Sequence, residues 1–127
     1  MGTIANFEKH KAHAISFDTQ TQANRVELMR NQRILIMRVS IPVGGFLTPE
    51  CHLYSRKKIL VLEGCAAINL PTGAVRLLEE EELIISAGTF HRIENHGKIP
   101  LTAIEIRTGL TDVDDSYLNL NDTTTQS

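Results

Sequence analysis

The stretch SAGTFHRIEN, Ser86 to Asn95, sets a tight turn at Ala87-Gly88 just before a short strand-like run that begins with His91 and ends at Asn95. Gly88 permits the turn, because a residue without Cβ enters backbone conformations closed to others. The Asn95 amide suits a structural role, bonding backbone near the turn. His91 is left to present an imidazole from the strand. This is the form of one half of a metal or sugar site, and a whole site needs groups converging from elsewhere in the chain.

Outward from this stretch the texture is that of short strands. RILIMRVSI (from Arg33), KILVLEG, CAAINL, AVRLL, ELIIS, FHRIEN and LTAIEIRTG are apolar and β-branched runs. Between them sit Pro42-Val43-Gly44-Gly45, Glu63-Gly64, Pro71-Thr72-Gly73, Ala87-Gly88, His96-Gly97 and Ile99-Pro100, all turn signals. Such spacing without a long helical period predicts an all-β sandwich or barrel. Residues 1–32 are polar and weakly patterned and read as an N-terminal extension, in which TQANRVELMRN suits a short helix or turn. Residues 33–110 form the barrel and 111–127 a polar tail that frays. The block Glu79-Glu80-Glu81-Glu82 reads as a solvated turn.

At 127 residues, 42% hydrophobic and 22% charged, the chain is the size of one domain with its own core. A net charge of −2 and a pI of about 6.2 give no basis for binding nucleic acid or an anionic membrane. No apolar run approaches the roughly 18 residues of a membrane span, and MGTIANFEKHKAH lacks a signal-peptide core. A cytoplasmic location is expected. Cys51 and Cys65 are too few for a disulfide scaffold and read as small buried hydrophobes. His10 and His13, although spaced HxxH, lie in a polar tail and read as chance.

The order Gly44, His52, Gly64 and the SAGTFHRIEN turn resembles the cupin double-stranded β-helix, a jelly-roll barrel. More closely, Arg38 to about Asp122 is similar to the C-terminal cupin of type II mannose-6-phosphate isomerases, often fused to mannose-1-phosphate guanylyltransferases. SAGTFHRIENHGKIPLTAIEIRTG carries the likeness, matching P-A-G-T-x-H-R-x-E-N-x-G-x-x-P-L-x-x-I-E-V-x-x-G. Ser86 stands where the family has proline. The first family motif, Q-x-H-x-H-R-x-E-H-W, is changed more deeply. Aligned without a gap between Gly44 and Gly64, its glutamine falls on Glu50 and its two histidines on His52 and Tyr54. Its arginine falls on Ser55, and its glutamate and next histidine on Lys57 and Lys58. Asn119 replaces a family arginine in the tail, which weakens the case for family-type phosphate binding. Of the family's usual ligands, only His52 and His91 are kept.

Aldose–ketose isomerisation needs a base and an electrophile for the developing enediolate, a role a divalent metal fills well. Lys57 in a ligand slot opposes metal, since an ammonium repels the cation and has no lone pair. Two arrangements restore a site. If residues 50–54 are extended, Glu50, His52 and Tyr54 share one face, and Glu50, His52 and His91 would hold one zinc, manganese or iron ion. Alternatively the Lys57 ammonium stands near the cation position and binds an anionic sugar, with His52 or His91 as acid or base. Against both stands the reading of Lys57-Lys58 as a solvent-facing loop pair. Tyr54, Glu105 and Arg107 are the candidate substrate contacts. Glu105 and Arg107 share a strand face, taken as the interior because the matching family strand contributes a glutamate.

The resemblance implies a small homodimeric cupin whose ligand is a sugar or sugar phosphate, with hexose-phosphate isomerisation as its activity and a degenerate metal site. A non-catalytic sugar-binding module is the first alternative. A dioxygenase-type metallocupin using Glu50, His52 and His91 is the second.

Overall fold

Alternation governs the strands. In ILIMRVSI, Leu35, Val39 and Ile41 are buried while Arg38 is exposed; in SRKKILVLE, Ser55, Lys57, Ile59 and Val61 are buried. A period of two puts successive side chains on opposite faces, so each such run gives one face to the core. The computed structural model describes residues 15–17 and 22–111. All regular elements among them are strands, and the expected all-β class holds. No helix among them is long and apolar enough to cross a membrane.

The strands are β1 (Ile15–Phe17), β2 (Asn24–Arg30), β3 (Ile34–Ile41), β4 (Ser55–Glu63), β5 (Ala66–Leu70), β6 (Gly73–Leu77), β7 (Glu82–Ile85), β8 (Arg92–Glu94) and β9 (Leu101–Gly109). A six-stranded sheet runs β1-β2-β3-β9-β4-β7 and a three-stranded sheet β6-β5-β8. The named pairs are antiparallel. Ile41, Ile59, Val61, Ile68 and Leu101 are wholly buried and belong to one apolar cluster drawn from both sheets. Full burial of such side chains is worth roughly 1.5–3 kcal/mol each.

The strand runs from Arg33 onward fall where the sequence puts them. The earlier segment differs: NRVELMR is not a helix or turn but strand β2, paired with β3 along Asn24↔Ser40 to Arg30↔Leu35 with one bulge at Glu27/Met29. Its polar residues are no bar to a strand, because the face it offers the interior is met by charged groups. The sheet therefore extends before residue 33. Asn95 is buried, donating its amide to the Ile41 and Ile99 carbonyls and accepting from the Gly97 N–H, and Gly88 has φ +80°. Both serve the turn roles expected of them. Glu79, Glu80 and Glu81 form the solvated turn, while Glu82 begins β7. His10, His13 and Asn119 lie outside the described residues.

Candidate functional site

Two long strands and one bridged segment position the site. β4 turns Lys57 inward; β9 turns Glu105 inward two residues beyond the buried Ala103. The segment 46–50 is tied to the His91 turn by the bridges Phe46↔Glu94 and Glu50↔His91. Glu50 and His91 exchange both backbone hydrogen bonds at 2.9 Å, so their side chains leave the same bridge side by side. His52 follows two residues later, and the Gly88 N–H donates to its carbonyl at 2.7 Å.

At the centre is Lys57, 2% exposed. Its Nζ lies 2.8 Å from Glu50 Oε1, 3.0 Å from His91 Nε2 and 3.1 Å from Glu105 Oε2. An ammonium has three donors, and these three partners take them. Arg25 closes the cluster from β2. Its guanidinium reaches both Glu50 oxygens (Nη1–Oε2 2.9 Å, Nη2–Oε1 2.7 Å) and both Glu105 oxygens (Nε–Oε1 2.7 Å, Nη2–Oε2 3.2 Å). Two cations thus face two carboxylates in a neutral quartet, which a buried cluster of charges requires.

The ionisation states follow. Burial works against the Glu50 charge, but Lys57 and then Arg25 outweigh it and hold the carboxyl well below the usual range. Burial likewise opposes Glu105 ionisation, and Arg25 then Lys57 overcome it, holding its pKa at about 2. Burial also disfavours charge on Arg25, yet Glu105 and Glu50 keep it above its ordinary value. His91 moves the other way. Burial first and the Lys57 charge second push it down to about 4. It is neutral at pH 7, with Nε2 facing Lys57 and Nδ1 donating to the Thr89 carbonyl at 3.0 Å.

The expected residues divide clearly. Glu50, His52, Lys57, His91 and Glu105 come together. Arg107 is opposite Lys57 on the β4–β9 ladder, on the interior face and partly exposed, with Nε donating to Ser55 Oγ at 3.2 Å. Tyr54 is 53% exposed and outside the cluster, so the shared face expected for Glu50, His52 and Tyr54 stops at His52. The chain bends at Leu53-Tyr54 before β4 opens at Ser55, and Ser55 takes the inward position. The solvent-facing loop expected for Lys57-Lys58 is overturned too. Both are in β4, Lys57 inward and Lys58 on the outer face 3.6 Å from Glu82. Cys51 is buried as expected, whereas Cys65 is only half-buried, its Sγ 3.2 Å from Arg76 Nε. Arg25 was not singled out by the sequence. The alternation of Arg25 and Glu27 with Val26 and Leu28 is the strand signal that would have found it.

Glu50, His52 and His91 bring ligand-capable atoms within 4.8 Å of one another, a group of the kind that holds a metal ion. The fit fails on Lys57. Glu50 Oε1 and His91 Nε2 are 3.9 Å apart. An ion midway between them, at ordinary bond lengths, would fall roughly 2 Å from Nζ, a distance only a lone-pair donor tolerates. Two further positive charges would also unbalance the quartet. As arranged, these residues do not suit a divalent metal.

The family model for the mannose-6-phosphate isomerase C-terminal domain matches residues 5–122. Over 92 residues the chain is 35% identical to the mannose-1-phosphate guanylyltransferase ManC of Salmonella typhimurium, covering 72% of this chain and 18% of that protein. The chain thus spans about a fifth of the length of the curated relatives it matches. A double-stranded β-helix protein from Klebsiella pneumoniae superposes with a TM-score of 0.69 at 13% identity, covering 79% of this chain and 87% of that one. A sugar phosphate isomerase of the cupin superfamily from Silicibacter pomeroyi gives 0.64 at 15% identity, with 80% and 76% covered. The fold is the cupin jelly roll.

Proposed function

The chain belongs to the mannose-6-phosphate isomerase C-terminal family, and from that premise we propose that it binds a hexose phosphate or related sugar in the cytoplasm without isomerising it. The position of Lys57 Nζ carries the reading, at hydrogen-bond distance from Glu50, His91 and Glu105. Isomerisation needs a group that takes a proton from carbon and another that polarises the neighbouring oxygen. In this cluster the protons of the ammonium point at protein partners, and His91 is engaged at both ring nitrogens. Glu50 and Glu105 are ionised and paired. On the same interior face stand Arg107, opposite Lys57 and partly exposed, and the buried His52, 3.7 Å from Glu50. Arg107, a cation beyond the balanced quartet, favours an anionic ligand such as a phosphorylated sugar.

Titration calorimetry with mannose 6-phosphate, mannose 1-phosphate and mannose tests binding, and NMR of mannose 6-phosphate with added zinc, manganese or iron tests turnover. Binding of a phosphorylated sugar, at least tenfold weaker in Arg107→Ala, with no fructose 6-phosphate formed, is the expected result. Turnover that Lys57→Met abolishes would overturn it.

A further inference from the structure

Beside the quartet, the interior face of the six-stranded sheet carries a second pair of cations, and a bulge puts one of them there. In β2, Glu27 pairs with Met37 and Met29 with Ile36, so Leu28 is an extra residue in the ladder. Without it, strict alternation from Glu27 would turn Met29 inward and Arg30 outward. The extra residue reverses that order, as bulges re-aim side chains, and Arg30 comes to pair with Leu35. Leu35 pairs in turn with Arg107 on β9. Directly opposite residues of an antiparallel pair share a face, and Leu35 is an interior residue, 2% exposed. Arg30 and Arg107 therefore flank Leu35 on the interior face, one strand to either side. Their backbones are roughly 10 Å apart at the usual strand spacing, a gap that two extended arginine side chains close from both ends.

Arg30 is held in place but not used up. Its Nε donates to Glu27 Oε1 at 2.9 Å and its Nη1 to the Thr111 carbonyl at 3.2 Å, while its side chain is 42% exposed. A guanidinium has five N–H donors, so these two bonds orient the group and leave the rest of the fork to a further acceptor. Arg107, also partly exposed, is anchored through Nε to the neutral Ser55 hydroxyl. Lys57, the next residue of the row, has its three donors taken by the quartet. We propose that Arg30 and Arg107 together clamp the phosphate of the bound sugar over Leu35, two strands away from Lys57. The clamp rests on the sugar-phosphate reading above and adds to it the second cation and the place of the phosphate. Two forked donors suit a tetrahedral dianion better than one, and the apolar Leu35 beneath offers it no competing partner.

Titration calorimetry of the full chain with mannose 6-phosphate, inorganic phosphate and mannose tests the clamp, with urea unfolding showing that each variant is folded. Arg30→Met, which keeps the aliphatic stem, is expected to weaken mannose 6-phosphate and inorganic phosphate alike by at least about fivefold and to leave mannose unchanged. With Arg107→Ala added, the loss is smaller than the product of the two single losses, because both groups hold one phosphate. Glu27→Gln keeps an acceptor for Arg30 Nε and removes a nearby negative charge, so it binds mannose 6-phosphate at least as tightly as the wild type. If Arg30 served folding alone, Glu27→Gln would be as harmful as Arg30→Met, and that result would overturn the clamp. Mannose 6-phosphate binding that Arg107→Ala weakens and Arg30→Met does not would overturn the clamp and leave the sugar-phosphate reading standing. A wild type that binds no phosphorylated sugar would overturn both.

Discussion

Lys57 Nζ lies 3.0 Å from His91 Nε2, so a cation from β4 is hydrogen-bonded to one of the two family-motif histidines, which would otherwise be ready to hold a metal or carry a proton. The contact fixes the imidazole as acceptor at Nε2 and donor at Nδ1. It also joins the histidine to a quartet whose other members come from β2, β9 and the bridged segment before β4. The cluster is charged, yet its charges are matched within the protein.

Removing Lys57 leaves Glu50 and Glu105 facing Arg25 alone. Lys57→Met keeps the volume but not the charge, and a buried pair broken on one side costs about 3–5 kcal/mol. The expected result is a fall in unfolding free energy of that size in urea titration, with the slope unchanged. A loss under 1 kcal/mol would show that the ammonium is not part of a closed buried network.

Stability depends on pH in a stated direction. The folded pKa of His91, about 4, lies below its usual 6.5, so the unfolded chain binds the proton more readily. Its contribution is complete above pH 6.5 and declines as pH falls towards 4, by roughly 3 kcal/mol in all. Glu105, held at about 2, extends the loss from the unfolded carboxyl range near 4.5 down to 2. Thermal unfolding measured from pH 8 to 3 should show melting temperature falling steadily below 6.5. In Lys57→Met, which keeps burial but removes the neighbouring charge, the His91 titration followed by NMR should move upward from 4. A flat profile between pH 6.5 and 4 would contradict the buried neutral imidazole.

The start of β4 depends on Gly109. It has φ +132°, and a Cβ there would run into the Tyr54 carbonyl and the Ser55 backbone. This close approach sets where the chain bends and thus which residues of β4 face inward. Gly109→Ala should destabilise by more than 1 kcal/mol and perturb amide shifts from Tyr54 to Lys57. A variant matching the wild type in both would remove this glycine from the account.

Most of the fold could be read from alternation and turn residues, because from Ile34 to Gly109 most strands end at or near a glycine, a proline or an acidic turn. β2 escaped because Arg25 and Glu27 occupy positions where a core-facing strand is expected to be apolar. Only the inward carboxylates of Glu50 and Glu105 make an arginine suitable there. The partnership of Glu50, His52 and His91 followed from spacing and resemblance, but Tyr54 did not join them. A bend of two residues reverses a face, and no propensity marks it. That Lys57 faces inward could not be settled by pattern either, since lysine at an apolar position is equally the mark of a surface strand or a loop. Its three partners are far apart in sequence, at positions 50, 91 and 105.

The most direct test is to measure zinc and manganese bound to the wild type, Lys57→Ala and Lys57→Ala/His91→Ala after incubation with metal and desalting. If the ammonium stands in place of a cation, the wild type retains under about a tenth of an equivalent. Lys57→Ala gains close to one, held by Glu50, His52 and His91, and the double variant loses it. Near-stoichiometric metal in the wild type would contradict the account.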